Sequence, residues 1–114
     1  MSIPQEVQLM VDALDDRKAK DITVLELNEV SETLDYFIIA SGDSGVQLKA
    51  LEDSVRDKLK SHKMLPKGIE GPSARWILMD YGYIVIHIMS PDAREFYDLE
   101  GLWADAKRLE VIPN

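Results

Sequence analysis

Catalysis needs a nucleophile with its base, a set of metal-binding side chains, or a glycine-rich phosphate cradle, and this chain carries fragments of each. The cradle candidate is Ser41-Gly42-Asp43-Ser44-Gly45, a run of small residues whose backbone amides can approach an anion. It has neither the Lys-Ser/Thr ending of a P-loop nor the glycine triad of a dinucleotide fingerprint. The plainer reading is a tight turn in which Ser44 caps a helix and Gln47 closes a capping box. His62 and His87 are the only imidazoles and cysteine is absent, so a zinc set lacks members. Ser41 or Ser44 with His87 would pair a nucleophile with a base, but no nucleophile elbow surrounds either serine. Nucleotidyl transfer requires two carboxylates two residues apart on one strand face to hold Mg²⁺ against phosphates. No Asp-x-Asp falls on an expected strand, and Asp80 stands alone at a hairpin end. Asp15 and Asp16 point about 100° apart on a helix and read as solvated surface. The expectation is a chain that is not an enzyme, with no catalytic residues, metal or cofactor.

What the residues do offer is binding chemistry. Trp76, Tyr81, Tyr83, Phe96, Tyr97 and Trp103 fall close together with Glu70, Asp80, Arg94 and Glu100. Trp, Tyr and Arg dominate binding hot spots because they bury large areas while keeping a polar handle. Phe96 and Trp103 share helical spacing with Leu99 and Leu102 and read as core. Trp76 and Tyr81 suit packing and partner contact equally. His87 reads as structural, stacked on Trp76 across a hairpin.

The elements that must position these residues follow from periodicity. Two apolar runs separated by Tyr81-Gly82 predict antiparallel strands and a tight turn. With Asp80 opposite Tyr83, Met79 faces Ile84 and Ile77 faces Ile86 on a wholly aliphatic side. Leu78 with Val85 and Trp76 with His87 then share the other, mixed side. Upstream, Ser2 and Gln5 form a capping box before Val7, Met10, Val11 and Leu14 at helical spacing. Residues 21–27 read as a strand, 36–40 as a strand buried on both faces, and 46–62 as an amphipathic helix through Leu48, Leu51, Val55 and Leu59. A short edge strand is expected around Ile69. Ser90 and Pro91 open a C-terminal helix that Gly101 interrupts, and residues 110–114 are expected to be loose.

With 114 residues and 46% apolar content the chain is expected to make one domain with its own core. No apolar run approaches the ~18 residues that span a bilayer, and the N-terminus lacks a secretory signal, so a cytoplasmic home with no membrane association is expected. Twenty-one acids against thirteen bases give a net charge of −8, which disfavours extensive nucleic-acid contact and favours a basic protein partner.

The order Glu70-Gly71, Trp76, Asp80, Gly82, His87, Arg94, Phe96-Tyr97, Leu99-Glu100, Leu102-Trp103 resembles the Iojap family, the ribosomal silencing factors. The likeness extends back through residues 35–42 and Gln47, covering about residues 5–105 of a single domain spanning 1–114. Two positions depart from it: family members commonly carry Asp where this chain has Tyr83, and Arg where it has Val46. The resemblance implies a nucleotidyltransferase-like topology. It also implies binding to the large ribosomal subunit through ribosomal protein L fourteen, on the surface that meets the small subunit, and translational repression by blocking subunit joining when nutrients are short.

The expected fold is therefore α/β, a small mixed sheet of four to five strands flanked by helices, with the first two helices on the aliphatic face. From the mixed hairpin face and the resemblance together, the expected partner contacts are Glu70, Trp76, Leu78, Asp80, Tyr81, Tyr97 and Glu100. Two other classes remain open at this point. One is a cryptic nucleotide-binding or nucleotidyltransferase-like enzyme using the 41–45 loop; the other is a module that forms a homodimer through the mixed face.

Overall fold

The helical spacing of Val7, Met10, Val11 and Leu14 is realised in α1 (Gln5–Asp16), where these residues are fully buried. The computed structural model describes residues 3–71, 73 and 75–114. Pro4 occupies the helix cap and supplies no side-chain bond. Ser2, and with it the expected capping box, lies outside the described residues.

After α1 come β1 (Lys20–Glu26), β2 (Tyr36–Ser41), α2 (Gly45–Ser61), β3 (Gly68–Glu70), β4 (Trp76–Asp80) and β5 (Ile84–Met89). The chain ends with α3 (Pro91–Tyr97), α4 (Leu99–Leu102) and β6 (Lys107–Leu109). The strands form one sheet in the order β3-β4-β5-β2-β1-β6, in which β2 and β5 run parallel and every other pair is antiparallel. The parallel pair is central and almost wholly buried, with His87 and Ser41 the polar exceptions in an otherwise largely apolar run, as suits strands covered on both faces.

Two cores result. On one face, α1 and α2 cover Val24, Ile38, Ala40, Ile77, Met79, Ile84, Ile86 and Ile88. On the other, Leu25, Phe37, Ile39, Val85 and Met89 meet Leu99 and Trp103 from the C-terminal helices. The α/β class, the mixed sheet and the helix placement agree with the sequence reading.

The differences have physical causes. Among the described residues the sheet has six strands rather than four or five, because β6 pairs Lys107, Arg108 and Leu109 with β1 in a segment too short and too charged to show alternation. The hairpin register is shifted by two residues, with Asp80 opposite Val85 and Trp76 opposite Met89. A two-residue Tyr-Gly loop of the primed type would force positive φ on Tyr81. The chain instead makes a longer turn, in which Tyr81 N donates to Ile84 O at 2.9 Å, Gly82 takes φ +94°, and Gly82 N donates to Asp80 Oδ1 at 2.7 Å. Because strand side chains alternate with period two, a two-residue slip leaves both faces as expected.

The 41–45 loop is a turn. Ser44 Oγ accepts from Gln47 N at 3.1 Å, while Gln47 Oε1 accepts from Asp43 N at 2.7 Å, one residue before the strict capping-box position. Gly42 is needed for close approach rather than for positive φ, since a Cβ there would lie 2.9 Å from Leu48 Cδ2. Residues 110–114 are tied down: Val111 packs on the larger core. Gln8 Nε2 donates to Ile112 O at 2.9 Å, and Asn114 N donates to the Asp12 carboxylate at 2.9 Å.

Candidate partner-docking site

A groove of about 640 Å³ is lined by Glu70, Gly71, Ser73, Arg75, Trp76, Leu78 and Tyr97. Three elements build it. Alternation along β4 turns Trp76 and Leu78 to the face opposite Ile77 and Met79. The edge strand β3 brings Glu70 beside Leu78 in register, and Gly71, at φ +58°, turns the chain away. Tyr97, the last residue of α3, leans over the groove with its ring 4.7 Å from that of Trp76.

Trp76 is held from two sides. Its backbone N donates to Ser73 Oγ at 3.1 Å, and its indole Nε1 donates to His87 Nδ1 at 3.1 Å. A nitrogen that accepts cannot also carry the proton, so the neutral imidazole has its hydrogen on Nε2. That Nε2 is buried without a hydrogen-bond partner among the described residues, and the Phe37 and His87 rings meet in a T-shaped contact with centroids 4.7 Å apart. Burial pushes the His87 pKa down to about 4. His87 is therefore an acceptor, neutral at pH values well above 4, that fixes the indole, a hydrogen bond in place of the simple stack expected from the sequence.

Of the seven expected contacts, the structure brings Glu70, Trp76, Leu78 and Tyr97 together. Asp80 lies on the same strand, but its carboxylate binds the turn at Gly82. Tyr81 is on the opposite side: it is 5% exposed within the larger core, its buried hydroxyl has no partner among the described residues, and burial pushes its pKa up to about 12. A contact role at the groove is closed to it by the alternation that places Trp76 there. Glu100 is remote from the groove, where Arg94 Nε and Nη2 donate to its carboxylate at 2.8 and 3.2 Å and Arg108 Nη2 adds a third contact at 3.2 Å. The Arg94 guanidinium holds the Glu100 carboxyl below the usual carboxylate range.

Arg94 also donates to Ser41 Oγ at 3.0 Å and Thr23 Oγ1 at 2.9 Å, joining α3 to the ends of two strands. This engages Ser41, and Trp76 engages His87 Nδ1, so the serine–histidine pair is not assembled. Among the described residues no group of three or more His, Asp or Glu is placed to hold a metal ion. Ser73 and Arg75 also line the groove, from the connection before β4, a Gly/Pro-rich stretch whose lack of periodicity gives no sequence signal for them.

The two departures from the family pattern have separate fates. The Tyr83 hydroxyl donates to the Glu6 carboxylate of α1, whereas Val46 is 83% exposed at the start of α2.

A mixed α/β domain whose prominent surface feature is an aromatic-walled groove on a rigid strand has the make-up of a docking module. Comparison with known proteins gives the class a particular form. A family model described as "Ribosomal silencing factor during starvation" matches residues 1–113. The chain is 41% identical over 108 residues to the Ribosomal silencing factor RsfS of Chromobacterium violaceum, covering 94% of this chain and 88% of that protein. It is 36% identical over 112 residues to the protein of the same name from Halalkalibacterium halodurans, covering 97% and 96% respectively. A crystal structure of a Chromobacterium violaceum protein superposes with a TM-score of 0.86 at 36% identity, covering 100% of this chain and 95% of that one. The chain belongs to the ribosomal silencing factor family.

Proposed function

We propose that this protein, acting as one domain in the cytoplasm, binds the large ribosomal subunit through ribosomal protein L fourteen and blocks subunit joining by occupying the surface the small subunit needs. Translation is thereby repressed without chemistry on either partner. The observation that carries the reading is the groove itself: Trp76 fixed by His87, the Tyr97 ring tilted against it, and Leu78 and Glu70 completing the lining. A desolvated aromatic anchor beside a carboxylate suits an apolar side chain flanked by Lys or Arg on a basic ribosomal protein. The net charge of −8 supports a protein rather than a phosphate-rich partner.

Tyr97 gives the cleanest test, because it is 48% exposed and contributes little to either core. Tyr97→Ala is expected to weaken co-sedimentation with purified large subunits about thirtyfold, roughly 2 kcal/mol, and to release subunit joining while the melting temperature stays within a few degrees. Wild-type protein that fails to sediment with large subunits would reject the function, and unweakened binding by the variant would reject the groove.

A further inference from the structure

The C-terminal helical pair presents an apolar surface that the groove does not use. Phe96 is 76% exposed and Leu102 74%, although both fit a core pattern in the sequence. Neither element is deeply seated: α3 fully buries only Ala93, and α4 fully buries no residue. Phe96 stands edge-on to Tyr97 at 5.0 Å, and Tyr97 lies 4.7 Å from Trp76, so the aromatic strip continues out of the groove onto this surface.

The unpaired charge on these two helices is acidic, while Arg108 beside them is paired with Glu100 of α4. Asp92, Glu95, Asp98 and Asp105 are exposed, and none makes a salt bridge among the described residues. Arg94, the one base in this stretch, is spent on Glu100 beneath the surface.

We propose that α3 and α4 form a second docking surface for a cationic polypeptide segment, which sets an apolar side chain against Phe96 and Leu102 and lays Lys or Arg along the four acids. Charge decides among possible occupants. A second copy of this chain would bring the same acids face to face, and a nucleic acid would bring phosphates against them; both juxtapositions are repulsive. A basic segment with an apolar anchor satisfies both components at once.

The surface is tested on the full chain, ¹⁵N-labelled and titrated with a synthetic leucine–lysine peptide beside a control with every leucine replaced by serine. Amide shifts are expected to concentrate in residues 92–105 and to be much smaller with the control. Phe96→Ser combined with Leu102→Ser is expected to weaken peptide binding about tenfold. Glu95→Lys with Asp105→Lys, which touches no packing, is expected to weaken it similarly and so keeps the test valid if the apolar variant is unstable. Shifts centred on the acids of α1 or α2, equal binding of the control peptide, or dilution-dependent self-association that the Phe96→Ser variant abolishes would each overturn the proposal. None of these outcomes depends on large-subunit binding, so the groove can fail while this surface stands, and the reverse.

Discussion

His87 is the residue on which the groove turns, and its buried neutral state makes stability depend on pH. Its pKa is lowered from the ordinary 6.5 to about 4 in the folded chain, so below pH 6.5 the unfolded chain takes up the proton first. Stability is then complete above about pH 6.5, falls as the pH drops toward 4, and levels off below that for this group. The total loss is about 3 to 4 kcal/mol at roughly 1.4 kcal/mol per pKa unit. Urea denaturation across that range should show the slope in the wild type and its disappearance in His87→Phe. A slope unchanged by that substitution would mean that carboxylates alone account for it.

Among the elements, the C-terminal helical pair is the least expected. Continuous helical spacing through Phe96, Leu99, Leu102 and Trp103 predicts one helix with all four inside, interrupted at Gly101. The chain breaks instead at Asp98, which adopts φ +45° and caps α4 by accepting from Gly101 N at 3.0 Å. The break changes the phase, so that Leu99 and Trp103 pack while Phe96 and Leu102 turn out. Gly101 still matters, because a Cβ there would collide with the Asp98 carboxylate that caps α4. With so little apolar burial, the pair depends on Arg94 to hold it to the sheet. Arg94→Met should leave the Glu100 carboxylate partly buried without its main partner and lower stability by roughly 2 kcal/mol. Hydrogen exchange should accelerate first in residues 91–103; uniform acceleration across the sheet would show that Arg94 supports the whole fold rather than this pair.

At the scale of the whole molecule, the charge of −8 acts on encounter more than on the final contact. Large-subunit association should slow with added salt, because the Debye length falls to about 8 Å at physiological ionic strength and the acids outside the groove cease to steer. Stopped-flow association rates between 50 and 300 mM salt are expected to drop several-fold while dissociation changes little. A salt-indifferent association rate would assign binding to apolar contact alone.

The sequence by itself determined the parts that depend on local periodicity and composition. These are the two amphipathic helices, the doubly buried β2, the aliphatic and mixed faces of the hairpin, the Ser44 and Ser90 caps, and the family to which the chain belongs. Face assignment survived the wrong hairpin register because alternation has period two. Only the tertiary structure decided which expected contacts share a surface. Glu70 reaches Trp76 and Leu78 because an edge strand pairs beside them, and Tyr97 arrives from a helix on the same side. Tyr81 and Glu100 are drawn elsewhere by core packing and by Arg94. The sixth strand and the anchored tail were equally hidden, since their partners are β1 and α1, far away in sequence. Local pattern fixes which way a side chain faces along its own element, but proximity between elements follows from pairing and packing over long sequence separations, which no short window of residues encodes.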